Sequence, residues 1–75
     1  MKNNREYNKR ARACVADIIA HIRKARNAHE PNLFMPITDE RAVYLPDAVR
    51  ILARLGYHAE CVEDWRGVYI FVRWQ

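Results

Sequence analysis

Apolar residues recur along the first third of the chain at spacings of three and four. Tyr7, Ala11, Cys14, Val15, Ile18, Ile22 and Ala25 fall on one stripe of a 3.6-residue helix, and Ile19 widens it on one side. Asn3 or Asn4 offers a side-chain oxygen that can cap the first turn. Pro31 pushes Glu30 out of the α region, so this helix is expected to stop between residues 27 and 29. A second helical stripe begins at Pro46, a residue suited to the first helical position, with Asp47 beside it near the positive end of the helix dipole. Ala48, Ile51, Leu52 and Leu55 make its expected buried face, with Val49 alongside and Arg50 and Arg54 outside. Gly56 supplies the left-handed residue that ends such a helix, and Tyr57 can fold back on the last turn.

After Tyr57 the period changes from 3.6 to two. Tyr57, Ala59 and Cys61 share one face of a strand, and Val68, Ile70, Val72 and Trp74 share one face of the next. Matching these faces pairs Cys61 with Ile70 and Ala59 with Val72, which leaves Asp64-Trp65-Arg66-Gly67 as the connection. The other face then holds His58, Glu60 and Val62 opposite Arg73, Phe71 and Tyr69. The second strand is therefore apolar on both faces near its middle, and its outward aromatics require a cover from this chain or from a partner.

Residues 30–45 carry no clear period. Pro31 and Pro36 break a helix, while Leu33, Phe34, Met35 and Ile37 are too apolar for a free loop. One reading is an edge strand, where Pro36 is tolerated. Another is a short helical turn opened by Thr38-Asp39-Glu40, and a third is a short strand over residues 42–45. The helical turn is the preferred reading. The fold class expected from these elements is α+β. A long N-terminal amphipathic helix, a short second helix and a C-terminal antiparallel β-hairpin form one two-layer domain over residues 1–75, with both helices on one face of the sheet.

Composition narrows the class. Hydrophobic residues make up 51% of the 75 positions, enough for a packed core rather than a disordered chain. No run approaches the roughly 18 apolar residues of a membrane span, so no membrane association is expected. The N-terminal stretch lacks the apolar core of a signal peptide, and a cytoplasmic location is expected. Cys14 and Cys61 are too few for a disulfide scaffold, and both lie on predicted inner faces as buried thiols.

The net charge of +4 is unevenly spread. Residues 1–29 hold eight Lys/Arg against Glu6 and Asp17, whereas residues 30–75 hold five Arg against seven Asp/Glu. Arg5, Lys9, Arg12 and Arg23 project away from the apolar stripe of the first helix, with Lys24 at its edge. They are the candidate anion-binding or nucleic-acid-binding residues, since cations there can meet phosphates. Ala13, Ala16 and Ala20 lie between the two cationic groups.

The chemistry of catalysis is hard to find. The chain has no serine and one threonine, Thr38. No acid–base pair of carboxylates stands out, and Gly56 and Gly67 are too few for a phosphate-binding loop. His58 and Cys61 are three apart on a strand and so face opposite sides, which argues against a shared metal. No enzyme activity, metal or cofactor is expected. The hairpin instead offers the residue types that anchor protein interfaces: Val62, Tyr69 and Phe71 outward, with Trp65 and Arg66 at the tip. A second copy of the chain is one partner such a surface could take.

The run LARLGY, a short strand, a turn and then YIFVRW resembles the C-terminal half of small bacteriophage-encoded accessory proteins. The likeness covers residues 46–74. It implies a non-catalytic protein that engages, and inhibits or redirects, a host protein or ribonucleoprotein machine such as a polymerase or a CRISPR defence complex. The alternative is direct nucleic-acid binding through the basic first helix.

Overall fold

The computed structural model describes residues 4–74. The chain runs α1 (Asn4–Asn27), β1 (Asn32–Ile37), α2 (Asp39–Ala42), α3 (Leu45–Arg54), β2 (His58–Asp64) and β3 (Gly67–Arg73). The three strands form one antiparallel sheet in the order β1-β3-β2. Helices cover one face of this sheet, giving the two-layer α+β domain that the patterning predicts. The thinnest dimension of the molecule is 16 Å, which leaves room for two layers and no third.

The core lies between the layers. Cys14, Val15, Ile18 and Ile22 of α1 meet Leu45, Ala48 and Leu52 of α3, and both helices meet Ile37, Ile70 and Val72 of the sheet. Ile22, Ala48, Leu52, Ile70 and Val72 have no exposed surface. The stripe read from the first helix is therefore the buried one. Leu55 departs from expectation at 56% exposed. It caps the end of α3, where the chain turns toward Gly56, and it no longer faces the sheet. Leu45 takes the missing volume at the other end of α3 and is 1% exposed. α3 thus starts one residue before Pro46.

Both long helices stop in the same way. After α3 the Tyr57 N–H donates to the Leu52 carbonyl at 3.0 Å and the Gly56 N–H to the Ala53 carbonyl at 3.1 Å. Gly56 has φ +96°, the left-handed conformation this paired closure needs. After α1 the Glu30 N–H donates to the Ala25 carbonyl at 2.9 Å and the His29 N–H to the Arg26 carbonyl at 3.0 Å. Here His29 holds the left-handed position, at φ 60°, where a Cβ is unfavourable. The Asn3 cap read from the sequence lies outside the described residues.

Residues 30–45 resolve into two of the three readings at once. Residues 32–37 form the edge strand β1 and pair with β3, Phe34 opposite Phe71 and Met35 opposite Ile70. Pro36 sits on this edge strand, where a missing N–H costs no ladder bond if it faces outward. Thr38 then opens the single turn of α2, its carbonyl accepting from the Arg41 and Ala42 N–H groups at 3.0 Å each. Arg41 Nη1 donates to Asp17 Oδ2 at 2.7 Å and ties α2 to α1. The sheet therefore has one more strand than the hairpin alone, and β3 is central.

The hairpin register is the predicted one, with Cys61 opposite Ile70 and Ala59 opposite Val72. Asp64 and Gly67 still pair, so the turn holds only Trp65 and Arg66. Cys61 corrects an expectation. It shares the inner face with Ile70 yet is exposed, because β2 is an edge strand and the packed cover ends at Ala59.

Candidate binding surfaces

Two surfaces stand out, one on each side of the domain. The first is the sheet face that none of the described helices covers. Alternation along β3 puts Ile70 and Val72 in the core and Tyr69 and Phe71 on the open side. The register then places Phe34 of β1 across from Phe71, and Val62 of β2 across from Tyr69. Phe34 stacks on Tyr69 with ring centroids 4.9 Å apart and planes 11° apart, and lies 6.3 Å from Phe71. Residues 33–37 thus do not cover the outward aromatics. They lie beside them, and Phe34, 52% exposed, enlarges the aromatic patch. The patterning groups Phe34 with Leu33, Met35 and Ile37 as a run too apolar for a free loop, and its outward placement corrects that grouping. The period-two split of Leu33, Met35 and Ile37 from Phe34 and Pro36 was the signal that an edge strand would have explained.

The hairpin tip extends this surface. The Arg66 backbone N–H donates to Asp64 Oδ1 at 2.8 Å, and Arg66 Nη2 donates to Asp64 Oδ2 at 2.9 Å. These bonds lower the Asp64 carboxyl pKa, the Arg66 side-chain bond contributing most, and raise that of Arg66. The Arg66 guanidinium stands 5.6 Å from the Trp65 ring centroid and 6.0 Å from that of Tyr69. Arg66 is therefore held across the tip, while Trp65 remains 91% exposed. A tryptophan that keeps nearly all its surface in water adds little to its own fold, and it has large area to give to an interface.

The second surface is basic and lies on the helix layer. Arg5, Lys9 and Arg12 share one cleft with Asn8 on α1. Arg12 and Asn8 also line a groove of about 310 Å³ between α1 and α3, with Asp47, Arg50 and Arg54 on the α3 side and Ala11 and Ile51 in the lining. Arg50 pairs with Asp47. Arg12 and Arg54 have no ion-pair partner among the described residues. Arg50 and Arg54 come from the acidic half of the sequence, so the charge count along the chain hid this convergence. Arg23 and Lys24 are not part of it. Arg23 lies in a separate cleft with Arg26 and Asn27, about 21 Å along α1 from Lys9 at 1.5 Å per residue.

Most other arginines with a described ion pair are anchored to the fold. Arg10 Nε donates to Glu6 Oε2 at 2.8 Å, and its pKa is raised by hydrogen bonds to Tyr44 first and Glu6 second. Tyr44 in turn packs on Tyr7, ring centroids 5.1 Å apart, and the Tyr7 hydroxyl donates to the Val43 carbonyl at 3.4 Å. Among the described residues, no three His, Cys, Asp or Glu side chains are placed to hold a metal ion. No described helix is long and apolar enough to cross a membrane. Cys14 is buried, and desolvation pushes its thiol pKa up, the opposite of what a nucleophilic thiolate requires.

No protein-family model matches the chain, nor does any curated protein or solved structure.

Proposed function

We propose that this chain is a non-catalytic binding protein that docks its open sheet face onto a protein or ribonucleoprotein of a host cell and inhibits or redirects it. The observation that carries the reading is Phe34 stacked on Tyr69 with Phe71 beside it, flanked by Val62 and tipped by Trp65, on a face that no described element covers. A free one-sided sheet gains by turning its open face polar. Three aromatics and a 91% exposed Trp do the reverse, and aromatic residues of this kind carry most of the energy of protein interfaces. The inhibitory role rests on the likeness of residues 46–74 to phage accessory proteins.

The test uses the intact chain as bait in a bacterial lysate, with the captured proteins identified by mass spectrometry. A Trp65→Ala, Tyr69→Ala, Phe71→Ala triple variant, checked for fold by circular dichroism, serves as the comparison. A specific partner is expected with the parent and not with the variant, because each anchor contributes about 2 kcal/mol or more, roughly thirtyfold in affinity. Equal capture by a folded triple variant would reject the sheet face as the docking surface. Light scattering on the purified chain separates the case in which the partner is a second copy.

A further inference from the structure

The groove between α1 and α3 has no part in that docking reading, and its chemistry is different. We propose that it is a binding site for the phosphate backbone of duplex DNA, with Arg12 and Arg54 as the principal contacts and Arg5, Lys9 and Arg50 completing the array. Among the described residues that line these two adjoining clefts are five cations from two helices and one carboxylate, Asp47. That carboxylate is already engaged by Arg50. Arg12 on the α1 side and Arg54 on the α3 side both line the groove, without an ion-pair partner among the described residues. Elsewhere Arg10, Arg41 and Arg66 are each paired with an acid of the same fold. Two arginines left unpaired on opposite walls of one groove form an anion cradle rather than a structural network.

The spacing suits a polyanion with regular charges. Lys9 and Arg5 are one helical step of four residues apart, as are Arg50 and Arg54, and each such step rises about 6 Å. Both rows stand on helices whose inner faces are the core of the protein, so the backbone positions from which the cations reach out are fixed before a ligand arrives. No aromatic is among the described residues that line the groove. Single strands are held by stacking their bases on aromatic rings, and the exposed aromatics among the described residues, Phe34 and Trp65, belong to the sheet and its hairpin turn. Duplex backbone, whose bases are already stacked, is the polyanion that fits. α3 carries Arg50 and Arg54 outward, toward the groove that it forms with α1.

The test measures fluorescence anisotropy of three labelled probes with the purified chain: a 20-base-pair mixed-sequence DNA duplex, a 20-nucleotide single-stranded RNA and a polyglutamate peptide. The duplex is expected to bind at low salt with no sequence preference, and log affinity should fall against log salt with a slope of about −3 to −5. Arg12→Gln combined with Arg54→Gln should reduce that slope by about two and weaken binding at least about tenfold. Arg23→Gln combined with Lys24→Gln should leave both nearly unchanged. Trp65→Ala should also leave both unchanged, which keeps this result distinct from the fate of the sheet face. Tighter binding of the RNA strand or of polyglutamate than of the duplex would overturn the proposal. So would duplex binding that survives loss of Arg12 and Arg54 in a variant with the parent's circular dichroism spectrum.

Discussion

Leu52 and Leu55 offer a controlled comparison, since the same truncation three residues apart on one helix meets opposite environments. Leu52 is fully buried against the sheet, and Leu55 is 56% exposed at the cap. Leu52→Ala removes side-chain volume where Ala48, Ile70 and Val72 are themselves fully buried and cannot easily close the gap. The expected cost is about 2–5 kcal/mol, the transfer free energy of the lost methyl groups plus the cavity they leave. Leu55→Ala leaves no closed cavity and should cost under about 1 kcal/mol. A 75-residue domain carries a total stability of roughly 4–11 kcal/mol, so Leu52→Ala consumes a large share of it. Urea unfolding followed by circular dichroism at 222 nm measures both. With a slope near 1 kcal/mol per molar for so small a chain, Leu52→Ala should lower the midpoint by about 2 M or more, and Leu55→Ala by less than about 1 M. If Leu52→Ala is unfolded in water, Leu52→Val supplies a smaller step in the same direction. Equal shifts for the two positions would refute the assignment of the buried face of α3.

Three further outcomes follow from particular residues. Cys61 should react within the mixing time of a thiol reagent and Cys14 only after denaturant is added, because one is exposed while the other is buried with its thiol pKa raised by desolvation; two slow thiols in the native protein would contradict the edge placement of Cys61. His29→Gly should raise stability by about 1 kcal/mol, since the left-handed cap at φ 60° disfavours any Cβ, and a lower melting temperature would refute that account of the helix end. The Asp64 carboxyl has a folded pKa below its ordinary value of about 3.9, so its contribution is full above that value and is lost as pH falls through the folded one; the melting-temperature gap between the parent and Asp64→Asn should therefore be present at neutral pH and close in strong acid.

What could be read from the sequence depended on whether one period ruled a segment. The first helix and the hairpin register were legible because apolar residues kept a single spacing over several repeats, and the match of Cys61 to Ile70 followed from parity alone. Phe34 was not legible as a surface residue, because Leu33, Met35 and Pro36 around it are also apolar and mask the period-two alternation that β1 shows. Cys61 and Leu55 failed for a different reason. Periodicity names the face a residue is on, but not how far the opposing layer reaches, and both sit just past the end of their cover. The basic groove was hidden for a third reason. Charge counted along the chain put Arg50 and Arg54 in the acidic half, while packing of α3 on α1 brings them to Arg12.

The two surfaces belong to different layers, and this makes their roles separable. The aromatic cluster is on the open side of the sheet, the basic groove is on the helix layer, and the buried residues between them, Ile18, Leu52, Ile70 and Val72, belong to neither. Substitutions at sites more than about 7–10 Å apart with no shared partner act additively, and these surfaces lie on opposite sides of a body 16 Å thick. If one target takes both, as a nucleoprotein would, Phe71→Ala and Arg54→Gln should each weaken it and their combination should weaken it by the product of the two factors. Salt should discriminate the two losses, since the arginine term is a counterion effect that fades as ionic strength rises and the aromatic term is not. A double variant whose loss is no greater than that of Phe71→Ala alone would mean that the groove does not contact that target. The same result at every salt concentration would leave the sheet face as the whole of its docking surface.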